Sequence, residues 1–309
     1  MQNAGFIYDD IFLKHETPQW HPETKERLVS IISELKNSDL WDRLSHIKPI
    51  KASYEDINLV HSSQYIDKIK NFGTGYLDGD TFMSAHSLDA ALYAVGAAIE
   101  AINRCRAGEI QKAFCAVRPP GHHAEADRAM GFCIFNNIAV GARYAQKTGY
   151  KKVFIIDFDV HHGNGTQHIF EEDDTVFFFS THQYPHYPGT GRASEKGIGK
   201  GSGYTYNIPM SAGSGDKDYM NIYQDILPGL VSGFNPDIIL VSAGYDIRNE
   251  DPLSAIRISD EGIRAIVQGI ISCTKINNSS IPLIFTLEGG YDLEALSRSV
   301  KITIEEMLK

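Results

Sequence analysis

Cysteine is scarce in this chain of 309 residues, and the four present, Cys105, Cys115, Cys133 and Cys273, are scattered without a C-x-x-C pair. That spacing excludes a disulfide framework and a thiolate zinc site, and it fits a reducing compartment. Basic residues are outnumbered, 29 Lys and Arg against 39 Asp and Glu, for a net charge of -10. A nucleic-acid surface would show the opposite imbalance, so no nucleic-acid partner is expected, and an acidic rim favours cationic substrates. No uninterrupted apolar run of about 18 residues occurs and no basic, apolar leader opens the sequence, so the expectation is a soluble, cytoplasmic protein without a membrane partner. Pro/Ser-rich linkers and internal repeats are also missing. Residues 1–309 are therefore expected to form one domain.

What the chain does have is a hydrophobic content of 42%, enough for a substantial core, arranged as short apolar strands alternating with helical patterns. After a mixed, aromatic opening, the periodicity predicts a helix over 27–35 with Thr24 as its cap. A Gly/Asp-rich stretch over 71–87 reads as a long surface loop, and 87–104 as a buried helix rich in small residues. Strands are expected at 113–117, 153–157, 176–179, 237–242 and 283–287, with helices at 136–147, 219–230, 260–274 and the end of the chain. Strands that are apolar throughout and separated by helices imply an α/β fold, a central and mostly parallel sheet with helices on both faces.

In such sheets ligands bind beyond the carboxyl ends of the strands. Several of these strands run directly into polar residues: His122 and His123 after Pro119-Pro120-Gly121, then Asp157, Asp159 and His161, then Asp246, then Tyr291 after Gly289-Gly290. Alternate residues of a strand share a face, so Asp157, Asp159 and His161 are expected to converge. Asp159, His161 and Asp246 match the three protein ligands and open position of a catalytic zinc, although two carboxylates and one imidazole also suit iron or manganese. A single Asp after a strand is ordinarily a cap or a turn. So many adjacent acids in a desolvated place need a cation. The histidine pair reads either as a hydrogen-bonded core pair or as a proton-transfer device with Asp157 orienting one ring. Tyr291 reads either as a core tyrosine or as an oxyanion donor.

The motifs R-P-P-G-H-H, G-F-C-I-F-N-N, D-F-D-V-H-H-G-N-G, Y-P-G-T-G, S-A-G-Y-D-I-R-N-E-D-P-L and E-G-G-Y-D-L, in this order, resemble those of the histone deacetylase superfamily. That group includes bacterial histone-deacetylase-like amidohydrolases, acetylpolyamine amidohydrolases and acetoin-utilisation proteins. The resemblance runs from about His21 to the last helix. It implies one zinc per chain on Asp159, His161 and Asp246, His123 as general base, Asp157 bonded to His122, and Tyr291 polarising the substrate carbonyl. Asn164 falls where class I members carry Asp and is the class II-like partner of the second histidine.

The resemblance also implies a potassium ion beside Asp157, Asp159, His161 and Ser180. It makes Gly131, Phe132 and Tyr187 the pocket walls, and Cys133 a packed residue below the site. Asp78, or Asp80 in its place, would hold substrate at the rim. Leu253 stands at the mouth, where the eukaryotic polyamine-selective relative has an acid, so acyl-lysine proteins or peptides are the expected substrates and acetylated polyamines the alternative. Two rival readings are an arginase-like binuclear manganese hydrolase, which needs more bridging carboxylates, and a non-catalytic binding protein that keeps the pocket.

Overall fold

The computed structural model describes residues 4–276 and 279–309. Eight strands form one sheet: β1 (Ala4–Ile7), β2 (Ser45–Ile47), β3 (Lys112–Cys115), β4 (Val153–Asp157), β5 (Val176–Gln183), β6 (Thr205–Met210), β7 (Ile238–Ala243) and β8 (Leu283–Leu287). Their order across the sheet is β2-β1-β3-β8-β7-β4-β5-β6, and every pairing is parallel. Every residue of β4, β5, β7 and β8 is buried, as expected of strands covered on both faces, whereas β2 and β6 at the two edges are partly exposed.

The helices α1 (Glu26–Lys36), α2 (Ser87–Arg106), α3 (Asn137–Lys147), α4 (Asn164–Phe170), α5 (Asp260–Ser272) and α6 (Leu293–Met307) flank the sheet. α1 packs on α6 and α6 on α5, while α2 packs on α3, so the helices fall into two groups. α3 starts where Asn136 accepts from the Ala139 N–H, an ordinary Asn cap. Among the described residues no helix is long and apolar enough to cross a membrane.

Register is held partly by an aromatic ladder through strands that carry the site. Phe6 on β1, Phe114 on β3 and Phe285 on β8 are direct register partners, with ring centroids 6.2 and 6.4 Å apart. Such aromatic pairs contribute about 0.5–1.5 kcal/mol each beyond the area they bury. A one-residue slip would turn every side chain of a strand to the other face, so the ladder also fixes which residues reach the strand ends.

Four local expectations need correction. The α1 N-cap is Lys25, with no side-chain cap bond, so Thr24 does not cap it. Arg27, in the first turn, is instead held by Glu23. The 71–87 stretch contains a small antiparallel hairpin, Gly75–Tyr76 with Phe82–Met83. The single helix at 219–230 is three pieces, an α-helix at Asp216–Asn221, a π-turn at Ile222–Ile226 and an α-helix at Leu227–Phe234. Pro228 lacks an N–H, so it sits in the first turn of a new helix rather than inside an old one. Finally, β4 stops at Asp157, which places Asp159 and His161 on the following loop instead of along one strand face.

Candidate active site

Strands β3, β8, β7 and β4 are consecutive neighbours in the middle of the sheet, and their carboxyl ends deliver the polar residues. β3 leads to His122 and His123, β8 to Glu288 through Tyr291, β7 to Asp246, and β4 to Asp157, Asp159 and His161. Residues far apart in sequence therefore meet along one short stretch of sheet edge.

Asp159, His161 and Asp246 form a cluster whose ligand atoms all lie within 4.8 Å of one another. His161 Nδ1 stands 3.1 Å from Asp159 Oδ1 and 3.2 Å from Asp246 Oδ2. Backbone donors aim both acids: the Gly289 N–H bonds Asp159 Oδ2 at 2.8 Å, and the Val160 N–H bonds Asp246 Oδ1 at 2.9 Å. The other oxygen, Asp246 Oδ2, is buried and, although His161 Nδ1 approaches it at 3.2 Å, no donor meets it with hydrogen-bond geometry. An orphaned carboxylate oxygen inside a protein is costly, and a cation is the usual remedy. His161 reports the same demand: burial disfavours its charge, yet Asp159 and Asp246 push its pKa up to about 10. The donor set and the orphaned oxygen thus fit a metal ion. Gly289 is required by packing, since a Cβ there would overlap Asp246 Oδ2 and crowd Asp159.

Asp157 stands apart from this trio. Its Oδ1 accepts from the Asp159 N–H, and its Oδ2 lies 2.9 Å from His122 Nδ1. His123 Nδ1 lies 2.8 Å from Asn164 Oδ1, at the start of α4. The two imidazoles are 4.0 Å apart between centroids but electrostatically unlike. Burial opposes charge on His122, but Asp157 and Asp159 outweigh it and raise its pKa to about 10. Burial also opposes charge on His123, and the positive charges of His122 and His161 push in the same direction, so its pKa falls well below the ordinary imidazole range. The surroundings thus favour the charged form of His122 and the neutral form of the adjacent His123.

A narrow cavity of about 100 Å³ opens onto these rings, lined by Asp80, His122, His123, Gly131, Phe132, His161, Tyr187, Leu253 and Tyr291, among others. Gly131 (φ 56°) and Phe132 (φ 69°) are consecutive left-handed residues. A Cβ at Gly131 would collide with the His123 ring. This unfavourable backbone is braced: the Phe132 N–H bonds Thr81 Oγ1 at 3.0 Å, and the His21 ring packs 4.5 Å from Phe132 while its Nε2 bonds the Asp80 carbonyl at 2.9 Å. The Tyr187 ring stands edge-on to His123 at 5.2 Å. His186 Nε2 bonds the carbonyl of Leu253, a lining residue, at 3.0 Å and so braces that part of the wall.

Of the two acids, Asp80 lines the cavity and Asp78 does not. Asp78 Oδ1 is engaged by the Asp80 and Thr81 N–H groups, whereas Asp80 reaches the cavity wall. Burial and the neighbouring Asp78 raise the Asp80 carboxyl above its ordinary pKa. Ser180 is buried, is the register partner of Asp157, and pairs its Oγ with His182 Nδ1 at 2.8 Å. His162 has both ring nitrogens engaged, Nδ1 with Thr190 Oγ1 and Nε2 with Gln167 Oε1, so it ties the Y-P-G-T-G loop to α4. Cys133 is buried and its thiol pKa is pushed well above normal by burial, which leaves it inert.

Sequence reasoning gave no role to the residues that hold this site together. Glu288 is fully buried, accepts from the Gly121 and His122 N–H groups with Oε2, and bonds Ser242 with Oε1. It clamps the histidine turn to β8 and β7. Arg27 bonds the carbonyls of Glu288 and Gly290 and lies 5.1 Å from the Tyr291 ring centroid. Glu23 joins Arg27 to Arg118, both buried. Asp251 bonds the Tyr291 and Leu253 N–H groups. The available signal was Glu23 and Arg27 at helical i, i+4 spacing.

The family model described as the histone deacetylase domain matches residues 21–307. A protein named "Probable deacetylase" from Archaeoglobus fulgidus is 38% identical over 295 residues, covering 94% of this chain and 82% of that protein. "Histone deacetylase 14, chloroplastic" from Arabidopsis thaliana is 36% identical over 329 residues, covering 100% of this chain and 78% of that protein. The crystal structure of the HDA15 HD domain superposes with a TM-score of 0.91 at 36% identity, covering 98% of this chain and 90% of that one.

Proposed function

The chain belongs to the histone deacetylase family, and we propose that it is a zinc-dependent deacylase hydrolysing the amide of acetylated or otherwise acylated lysine side chains in proteins or peptides. The observation that carries this reading is the cluster of two buried acids, Asp159 and Asp246, around His161, with Asp246 Oδ2 lacking a hydrogen-bond partner, beside a cavity lined by the His122–His123 pair. Three protein ligands and one open position suit catalytic zinc. When bound, the zinc supplies Lewis acidity toward the acyl carbonyl and lowers the pKa of a water toward about 7.

The chain's own residues carry the rest. His123, neutral through burial and its charged neighbours, takes the proton of the attacking water at Nε2, because Nδ1 faces Asn164. The proton then passes to the leaving amine nitrogen. His122, kept positive by Asp157, stabilises the negative charge that builds on the acyl oxygen. Tyr291 lines the cavity, and burial keeps its phenol protonated, so its hydroxyl donates to that oxygen. Gly131, Phe132 and Tyr187 flank the acyl-lysine stem and exclude water, and Asp80 receives the substrate's backbone N–H or amine at the rim. A potassium ion beside Asp157, Asp159, His161 and Ser180 belongs to the same reading. It is supported by the pairing of Asp157 with Ser180 and the burial of both.

Leu253 at the mouth favours acyl-lysine, while Asp80 and the net charge of -10 favour a cationic acetylpolyamine as the second reading. Turnover of acetyl-lysine peptides against acetylated polyamines separates them. A preference above about tenfold for the peptide, or 1.4 kcal/mol of differential transition-state binding, is the expected result. The reverse preference would assign the small-molecule class.

A further inference from the structure

Glu125 lies two residues beyond the histidine pair, is buried, and belongs to no part of the mechanism above. Its Oε1 accepts from Asn164 Nδ2 at 2.6 Å, and both its oxygens lie within hydrogen-bond distance of His168 Nδ1, at 2.9 and 3.1 Å. Asn164 and His168 stand at i and i+4 on α4, so one face of that helix presents both groups to the same carboxylate. His168 is exposed, with 38% of its side chain accessible, and Arg128 approaches Glu125 at 3.6 Å. An unbroken chain of contacts therefore runs from the His123 ring through Asn164 and Glu125 to a surface histidine.

We propose that Glu125, backed by His168, is a positioning residue that fixes the orientation of the Asn164 amide and thereby the tautomer of His123. An ionised carboxylate only accepts hydrogen bonds, so it selects the NH2 end of the amide. The remaining neighbours of Asn164 Nδ2 are acceptors as well, the His123 carbonyl at 3.4 Å and Met130 Sδ at 3.5 Å. The amide oxygen must then face His123 Nδ1, and that nitrogen must carry the hydrogen. The lone pair is left on Nε2, the nitrogen a general base needs. Asn differs here from Asp: a carboxylate has two equivalent oxygens and needs no orienting partner, whereas an amide turned the wrong way would place the lone pair on Nδ1. His168 keeps Glu125 charged, since bonding to it holds the Glu125 carboxyl below its ordinary pKa against the effect of burial.

This inference rests on the deacylase reading for its kinetic consequence but not for its structural one, so the zinc-loaded protein is tested twice. Glu125→Ala should lower kcat on the order of tenfold with KM unchanged, because part of the population loses its base. Glu125→Gln, which still offers an acceptor oxygen to Asn164 and an amide to His168, should restore most of that loss. In an Asn164→Asp background the same Glu125→Ala change should cost nothing, or help, because there is no amide to orient and a repelling carboxylate is removed. Nitrogen-15 NMR of the wild-type imidazoles should show His123 protonated at Nδ1, and Glu125→Ala should add the Nε2–H form. An equal kcat loss from Glu125→Ala in both backgrounds, or an unchanged His123 tautomer, would overturn the proposal. A wild-type protein that hydrolyses no acyl amide yet shows the tautomer shift would overturn the deacylase reading and leave the positioning role standing.

Discussion

His122 Nδ1 lies 2.9 Å from a carboxylate, Asp157 Oδ2, while the adjacent His123 faces the neutral amide of Asn164. Burial and the neighbouring His122 and His161 push the His123 pKa down while Asp157 and Asp159 push that of His122 up, so the two adjacent rings are driven in opposite directions. His123→Ala should lower turnover by about 10²- to 10⁴-fold, the range of a lost general base. Asp157→Asn should act through His122 by removing its counter-charge, and a loss on the order of 100-fold is expected. Steady-state kinetics with metal content measured in parallel checks both. Equal, small effects would mean the pair is structural.

The buried cluster of Glu23, Arg27 and Arg118 should matter for stability more than for chemistry. Burial alone would raise the Glu23 carboxyl, but Arg118 and His15 hold its pKa well below normal. Removing it in Glu23→Ala leaves two buried guanidinium groups without their carboxylate, which costs about 3–5 kcal/mol. Denaturant unfolding of the variant should show that loss. A change under about 1 kcal/mol would mean that the backbone carbonyls around Arg27 and Arg118 satisfy them alone.

Much of this was readable from the residues. β4, β7 and β8 are largely apolar and buried, β4 closes on Asp157, and Asp246 and Tyr291 follow within a few residues of β7 and β8, so both strand and site announce themselves. The edge strands do not. Ser45–Ile47 is three residues long and Thr205–Met210 is partly exposed and contains Pro209, so neither shows the fully apolar run of a central strand. Asp159, His161 and Asp246 were legible because one motif and one strand end hold them. Glu288 was not given a role, because a carboxylate that serves backbone N–H groups of a distant turn has no spacing to reveal it.

The Glu125–His168 pair gives a pH signature in stability. Bonding to Glu125 raises the His168 pKa above its ordinary 6.5, and bonding to His168 and Asn164 lowers that of Glu125 from 4.5 against its burial. A raised His contributes stability below its unfolded pKa and loses it as pH climbs through the folded value. A lowered Glu contributes above its unfolded pKa and loses it as pH falls through the folded one. The wild type should therefore exceed His168→Ala in Tm most between these two ordinary values, with the gap narrowing on either side. Thermal unfolding from pH 3 to 9, about 1.5 units below the ordinary Glu value and about 2.5 units above that of His, checks it. A pH-independent gap would contradict an ion pair.

Leu253 lines the cavity with its carbonyl held by His186. Leu253→Glu adds a second acid near Asp80 and should shift kcat/KM toward acetylated polyamines relative to acetyl-lysine peptides by roughly tenfold. Paired substrate assays would show it. No shift would place the charge-sensing part of the rim elsewhere.

One metal held by Asp159, His161 and Asp246 and used to hydrolyse an acyl amide is the centre of the proposed chemistry. Metal stoichiometry of the purified chain, measured together with turnover of an acetyl-lysine peptide, tests this most directly. One zinc per chain, with metal and turnover both lost in Asp246→Ala, is the predicted result. Two manganese ions per chain, or full turnover in Asp246→Ala, would contradict it.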